Sequence, residues 1–392
     1  MDDVVTCFIR DPRTGEVLLL RRSDETGSYA GDWGAVSGYV EEYTDDAHED
    51  AEREIREETG LEDASFVRRG NAFVVEDDKH GDWRVHPFLY NTPTREVETN
   101  YESEGIGWCA PTEILRRETV PRLWDSYAAV APSVETVAED NEHGSAYVAA
   151  RALEVLRDTA ASEGLDEARE TARRLIDARP SMSVVGNRVA RAADGETADE
   201  IESKSHAAVS NGYQADEAAA KKAAERIRDA KRVVTVSRSG TVSEALRRTD
   251  ASVTVAESLP GGEGVGFAGE VGTGAVVPDA CVAREVRDAD AVVVGADAVL
   301  CDGTVVNKVG SLAAALAADR FDVPFVVVAS TDKISPDGEH ENEYVDYRGE
   351  RVPVFERVPA DLAEPVTEDG VLTEDGIREL AETHADRRAV VR

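Results

Sequence analysis

The chain has 392 residues, enough for two or three domains with cores of their own. Lysine and arginine number 44 against 80 aspartates and glutamates, a net charge of −36. That charge argues against nucleic acid and anionic membrane as direct partners, because phosphates need cationic surface. The acidic excess runs the length of the chain and lysines are few, as expected of a protein adapted to high salt, where screening removes most self-repulsion. Cys7, Cys109, Cys281 and Cys301 are widely spaced and form no C-x-x-C, so disulfides and zinc are not expected. The opening M-D-D-V-V-T lacks a basic region and a long apolar core, and no run of apolar residues is long enough to span a bilayer. A cytoplasmic location is the expectation.

Residues 4–10 and 16–22 are rich in β-formers and flank the turn residues Asp11-Pro12-Arg13-Thr14-Gly15, which predicts a hairpin. A polar, glycine-rich loop over 23–34 follows. Trp33 then leads through Gly38 toward an acidic helix; its indole suits either stacking on a base or packing beside a core strand. Ala47, Ala51, Ile55 and Leu61 recur at roughly helical intervals, Asp46 with Glu49 gives a start signal, and Gly60 a stop. On this helix Glu54, Glu57 and Glu58 stand at i, i+3 and i+4 and so share a face. Three carboxylates held together repel, and a hard divalent cation that also binds substrate phosphates would offset the repulsion. From Glu41 to Glu58 ten of eighteen residues are acidic, so a solvated acidic face is the alternative reading of the carboxylates alone.

The order R-E-I-R-E-E-T-G-L over 53–61, preceded by a loop that starts on glycine, resembles the Nudix box of the Nudix hydrolases. The resemblance implies an α+β domain in which Glu57 and Glu58 bind Mg2+ (or Mn2+), Glu54 is a further ligand or the base that activates water, and Arg53 orients the glutamates. It departs from the family spacing in one place. Counting back from Arg53, the family's first glutamate falls on Asp45, and Gly38 is then one residue too far away, as though the loop over 41–44 carries an insertion. Residues 65–75 and 83–90 are further predicted strands, with a charged turn over 76–81 between them. Many Nudix enzymes have an additional glutamate near a tryptophan, and Glu102 or Glu104, ahead of Trp108, is a candidate; a plain surface acid is the alternative. Pro111 to Leu115 begins a closing helix.

An acidic segment over 132–142 is expected to hold a domain boundary. Alanine-rich helical windows follow at 146–160, 166–178, 181–193 and 215–230. From Arg232 apolar strands at 233–236, 252–256, 291–294 and 323–328 alternate with helices at 242–248 and 311–320, the pattern of a parallel sheet covered on both faces. Ligands of such sheets sit outside the carboxyl ends of the strands. The loops at 237–241, 257–264 and 295–297 end there.

Gly295-Ala296-Asp297, then Val306-Asn307-Lys308-Val309-Gly310-Ser311, with His143-Gly144-Ser145-Ala146, Arg179-Pro180-Ser181-Met182 and Glu257-Ser258-x-Pro260, resembles the translation initiation factor 2B alpha, beta and delta family. That family includes methylthioribose-1-phosphate and ribose-1,5-bisphosphate isomerases. The resemblance implies a phosphate cradle at Ser237, Arg238, Ser239, Gly240 and Thr241, with Asn307 and Lys308 beside the ligand. In the isomerases a cysteine and the aspartate of G-A-D handle protons. Asp297 matches the aspartate, whereas the cysteine position is Ser237, the neighbouring family asparagine is Arg238, and the arginine of E-S-R-P is Leu259. A hydroxyl is a far weaker acid than a thiol. Binding without isomerisation is therefore expected, and an Asp297 that merely caps backbone is the bland alternative.

The expected architecture is an α+β Nudix domain over 1–130, an α-helical subdomain over 131–230, an α/β doubly wound parallel-sheet (Rossmann-like) domain over 231–360, and a tail over 361–392 with no readable chemistry. The expected activity is Mg-dependent hydrolysis of a nucleoside diphosphate-linked small molecule, with a phosphorylated sugar or nucleotide held by the second region and a homodimer or larger homo-oligomer as the assembly. The alternatives are an active aldose–ketose isomerase and a non-catalytic regulatory protein.

Overall fold

In a computed structural model the described residues are 1–26, 28–41, 46–140, 142–272 and 274–391. The expected loop insertion at 41–44 and Asp45, at the family's glutamate position, therefore lie outside the described residues, apart from Glu41. The chain forms two compact units, one of residues 1–133, 154–168 and 197–210, the other of 134–153, 169–196 and 211–392.

The first unit is built on an eight-stranded sheet. Its elements are β1 (Asp2–Asp11), β2 (Glu16–Arg22), β3 (Trp33–Gly34), β4 (Val36–Tyr39), α1 (Ala47–Thr59), β5 (Ser65–Arg69), β6 (Phe73–Val75), β7 (Trp83–Asn91), β8 (Ser103–Cys109) and α2 (Leu123–Ala128). The expected hairpin is β1–β2, antiparallel through Arg10 opposite Val17. The single expected strand over 65–75 is instead two, β5 and β6, interrupted around Gly70, where a Cβ would press on the Ala129 carbonyl at 2.8 Å. The expected closing helix at 111–115 is one 3-10 turn, and α2 does the closing.

Alternation along the strands divides the core. Val5, Cys7, Ile9, Leu18 and Leu20 face Ala47, Ala51 and Ile55 of α1. Phe8, Val17 and Leu19 face the other way, onto Leu123 and Tyr127 of α2. The helical segments of this unit add a buried ionic group: Arg10 Nη1 lies 2.8 Å from Glu154 Oε2, and Arg157 donates to the Gly15 carbonyl at 2.8 Å and to Asp158.

The elements that follow are α3 (Val134–Glu139), α4 (Ser145–Glu163), α5 (Leu165–Ala178), α6 (Ser183–Ala193) and α7 (Ala198–Arg226). The last is 29 residues long and begins well before the window read from the sequence. Then come β9 (Arg232–Thr235), α8 (Gly240–Leu246), β10 (Ser252–Ala256), α9 (Glu263–Glu270), β11 (Gly274–Val277), α10 (Val282–Arg287), β12 (Ala291–Gly295), β13 (Ala298–Val299), β14 (Val305–Lys308), α11 (Ser311–Phe321) and β15 (Phe325–Val328). β16 (Tyr344–Tyr347), β17 (Glu350–Pro353) and β18 (Phe355–Val358) come next, and the region expected to be a tail without readable chemistry supplies β19 (Glu364–Thr367), β20 (Gly370–Val371) and α12 (Glu374–Val391).

The main sheet of the second unit runs β11-β10-β9-β12-β15-β19-β20, parallel except for its last pair. Apolar residues cover both faces: Val233, Val253 and Val293 on one side, Val234, Val292 and Val294 on the other. The chain moves outward from β9 in one direction, then returns to start β12 on the other side. The gap between the ends of β9 and β12 is thus the switch point where ligands of such sheets bind.

Candidate active sites

In the first unit α1 forms as its sequence dictates. The Asp46 carboxylate caps it by accepting from His48 N at 3.1 Å, and Gly60 ends it with φ 68°. Antiparallel pairing of β1 with β4 sets Gly38 opposite Val5, beneath the helix. A Cβ at Gly38 would lie 2.0 Å from the Glu54 carboxyl, so only glycine leaves room for that side chain. The three glutamates do not stand alike. Glu58 is 6% exposed and accepts from Ser37 N at 3.0 Å. Glu54 is half-buried, while Glu57 is exposed on the rim.

Arg53 ties the set together. Its guanidinium meets Glu54 Oε1 at 2.8 Å, Glu57 Oε2 at 3.5 Å and Asp50 Oδ1 at 3.0 Å. Asp50 was not singled out in the sequence, yet it is 1% exposed and fixes the arginine from below. Its place on the buried stripe with Ala47 and Ala51 was the available signal. Burial, then the charges of Glu54 and Glu102, push Glu58 up to about 8. Burial, then Glu57 and Glu102, push Glu54 up to about 6 against the pull of Arg53. Of the two extra acids considered, Glu102 is therefore the one whose charge reaches the site; Glu104 pairs with Arg21 at 3.3 Å. Trp33 is a packing residue, its ring against Gly105 and Gly107 and under the Arg117 guanidinium at 4.7 Å.

Desolvated carboxylates crowded in this way fit a hard dication in charge and in donor type. Among the described residues no three acidic, histidine or cysteine side chains close a complete ligand set.

In the second unit the switch point gathers several of the residues singled out in the sequence. Ser237, just past β9, is buried and left-handed at φ 67°, a conformation costly for a residue with a side chain. Its Oγ donates to Glu263 Oε1 at 2.7 Å, and Lys308 Nζ lies 2.9 Å from the same oxygen. Its N–H donates to the hydroxyl of Ser258, which is also left-handed at φ 65°. Asp297, just past β12, is raised by burial, with Lys333 and Lys308 pulling it down, Glu343 pushing it up and a Ser145 hydrogen bond pulling it down. Glu343 is itself held by Arg179 at 3.1 Å and by Ser181, so the R-P-S-M motif acts on Asp297 through Glu343.

Other residues of the expected cradle are engaged elsewhere. Ser239 Oγ accepts from Val242 N at 3.3 Å, capping α8, while Thr241 is buried. Gly240 has open space around it. Arg238 donates to the Glu142 carbonyl and lies 3.8 Å from Glu270. Asn307 is buried and donates to Ser311 Oγ at 2.8 Å, where it supports the start of α11. Glu263, Lys333 and Glu343 were missed in the sequence. Their partners are far away along the chain, and only the expected loop at 257–264, whose E-S-x-P motif ends three residues before Glu263, hinted at any of them.

Family models match the chain over two stretches. The family model described as the initiation factor 2 subunit family matches residues 141–367, and the NUDIX domain model matches residues 2–130. The chain is 31% identical over 208 residues to a Pyrococcus abyssi protein named as eIF-2B subunit 2-like, covering 49% of this chain and 75% of that protein. It is 30% identical over 236 residues to the ribose 1,5-bisphosphate isomerase of Haloterrigena turkmenica, covering 53% and 72%. The crystal structure of translation initiation factor eIF-2B from Pyrococcus horikoshii OT3 superposes with a TM-score of 0.56 at 25% identity, over 61% of this chain and 94% of that one. The chain belongs to the initiation factor 2 subunit family, and a NUDIX domain precedes its family region.

Proposed function

We propose that the first unit is a magnesium- or manganese-dependent hydrolase that splits the diphosphate of a nucleoside diphosphate-linked compound. The observation that carries this reading is the pair of desolvated carboxylates, Glu54 and Glu58: burial raises both, the charges of Glu57 and Glu102 add to Glu54 and those of Glu54 and Glu102 to Glu58, and Glu57 stands at the rim. Glu57 and Glu58 would hold the metal, which would supply neutralisation of the charge that develops on the diphosphate. Glu54, fixed over Gly38 and by Arg53, holds the proton taken from the attacking water or serves as a further ligand. Ser37 N–H orients Glu58, and Asp50 orients Arg53. The test is a panel of nucleoside diphosphate-linked compounds incubated with magnesium at molar salt, read by release of a nucleoside monophosphate. If every compound survives intact, the reading is wrong.

The second unit supports a further reading, as a site for a phosphorylated sugar. Asp297, Lys308 and Ser237 gather at the switch point, and relatives carry the name of a sugar-phosphate isomerase. We also read the protein as a cytoplasmic, salt-adapted homo-oligomer, which light scattering at high salt would test.

A further inference from the structure

We propose that Glu263 serves as the proton acceptor for Ser237, so that the second unit isomerises an aldose 1-phosphate although it lacks the family's thiol. The inference rests on the sugar-phosphate reading above and goes beyond it. Three observations carry it. Ser237 Oγ donates to Glu263 Oε1 at 2.7 Å, so the hydroxyl is already committed to a carboxylate that can receive its proton. Lys308 Nζ, 2.9 Å from that oxygen, holds the carboxylate in place against the hydroxyl. Ser237 and Ser258 are both held left-handed and joined by the Ser237 N–H, so the loop is fixed at the switch point in a strained form.

The chemistry balances with these groups alone. An aldose 1-phosphate is a closed ring. The bond from C1 to the ring oxygen breaks with its electron pair going to oxygen, which takes a proton. Hydrogen moves from C2 to C1 with its electron pair. The 2-hydroxyl loses its proton as C2 becomes a carbonyl. One proton enters and one leaves, and no outside oxidant or reductant is needed. Asp297, whose pKa burial raises, supplies the first proton. Ser237 Oγ takes the second while passing its own to Glu263. A lone serine hydroxyl is too weak an acid and too weak a base for this exchange, whereas a hydroxyl already bonded to a carboxylate carries the proton through.

The test uses the full-length protein in molar salt with ribose 1,5-bisphosphate and methylthioribose 1-phosphate. Binding is measured by calorimetry and the ketose by carbon NMR. The expected result is binding of one of them and ketose formation by the wild type. Glu263→Gln and Ser237→Ala should each lower kcat by ~10²–10⁴-fold with binding retained. In Ser237→Cys/Glu263→Gln turnover should return, because a thiol with a pKa near 8.5 exchanges protons without a relay. Failure to bind either sugar phosphate overturns the ligand reading and the relay with it. Binding without ketose overturns the relay and leaves the ligand reading standing. Ketose formation that survives Glu263→Gln, or that the double variant fails to restore, makes Glu263 a structural ion-pair partner and overturns the proposal.

Discussion

At the scale of single residues the acidic site depends on close approach and on uncompensated charge. Gly38 is glycine because the Glu54 carboxyl occupies the place of a Cβ. Gly38→Ala should therefore displace Glu54 and lower hydrolysis by ~10²-fold, the usual effect of a misplacement of about 1 Å, while the far-ultraviolet dichroism stays that of the parent. Full activity in that variant would mean that Glu54 is not needed where it stands. Burial and the neighbouring carboxylates also make Glu58 costly to ionise without a counter-ion. Magnesium at ~100 times its dissociation constant should stabilise the protein by about 2.7 kcal/mol. Glu58→Gln should lose most of that gain while unfolding no earlier than the parent in the absence of metal. An equal magnesium-dependent rise in Tm in parent and variant would remove Glu58 from the metal site.

At the scale of elements, the loop after β15 is pinned to α6. Asp332 meets Arg188 at 2.9 Å and Arg191 at 2.6 Å, and against the burial that would raise it these arginines hold its carboxyl far below the usual carboxylate range. A depressed carboxylate stabilises the fold above its unfolded pKa, and that stability is lost as pH falls through the folded value. Asp332→Asn should thus cost roughly 3 kcal/mol at neutral pH, since among the described residues the buried Arg188 would keep only Asp216, at 3.2 Å, as a carboxylate partner, and the gap to the parent should narrow once pH drops below about 4. Denaturant titrations at several pH values measure both, and a gap independent of pH would contradict the pairing. The first unit has its own ion pair of this kind, Arg10 with Glu154, and Glu154→Gln should cost a similar amount.

These pairs also mark the limit of sequence reading. The helix α1 was legible because Asp46, Gly60 and the spacing of Ala47, Ala51 and Ile55 are local signals. The same spacing put Glu54, Glu57 and Glu58 together but could not tell that Glu58 turns inward and Glu57 outward, which depends on the sheet beneath. The parallel sheet was legible from its apolar strands, and so was Asp297 beside it. The strand β19 was not: Glu364-Pro365-Val366-Thr367 carries a proline and becomes a strand only by pairing with β15. Glu263 was invisible as a partner because Ser237 and Lys308 reach it from other loops.

At the scale of the whole molecule, a net charge of −36 repels itself, and salt relieves the repulsion. Raising KCl from about 0.1 M to 2 M shortens the screening length from about 10 Å to below about 3 Å, so Tm should rise by more than about 4 °C. A Tm that falls over this range would contradict adaptation to high salt. Among the described residues no helix is long and apolar enough to cross a membrane. The proposed hydrolysis of a diphosphate by the first unit runs through Glu54, Glu57 and Glu58. The measurement that tests it most directly is nucleoside monophosphate release by the full-length protein at molar salt with magnesium, parent beside Glu58→Gln. The expected result is turnover by the parent, its loss on chelation, and a fall of ~10²-fold or more in the variant. Equal turnover in the two proteins, or turnover that survives removal of magnesium and manganese, would contradict it.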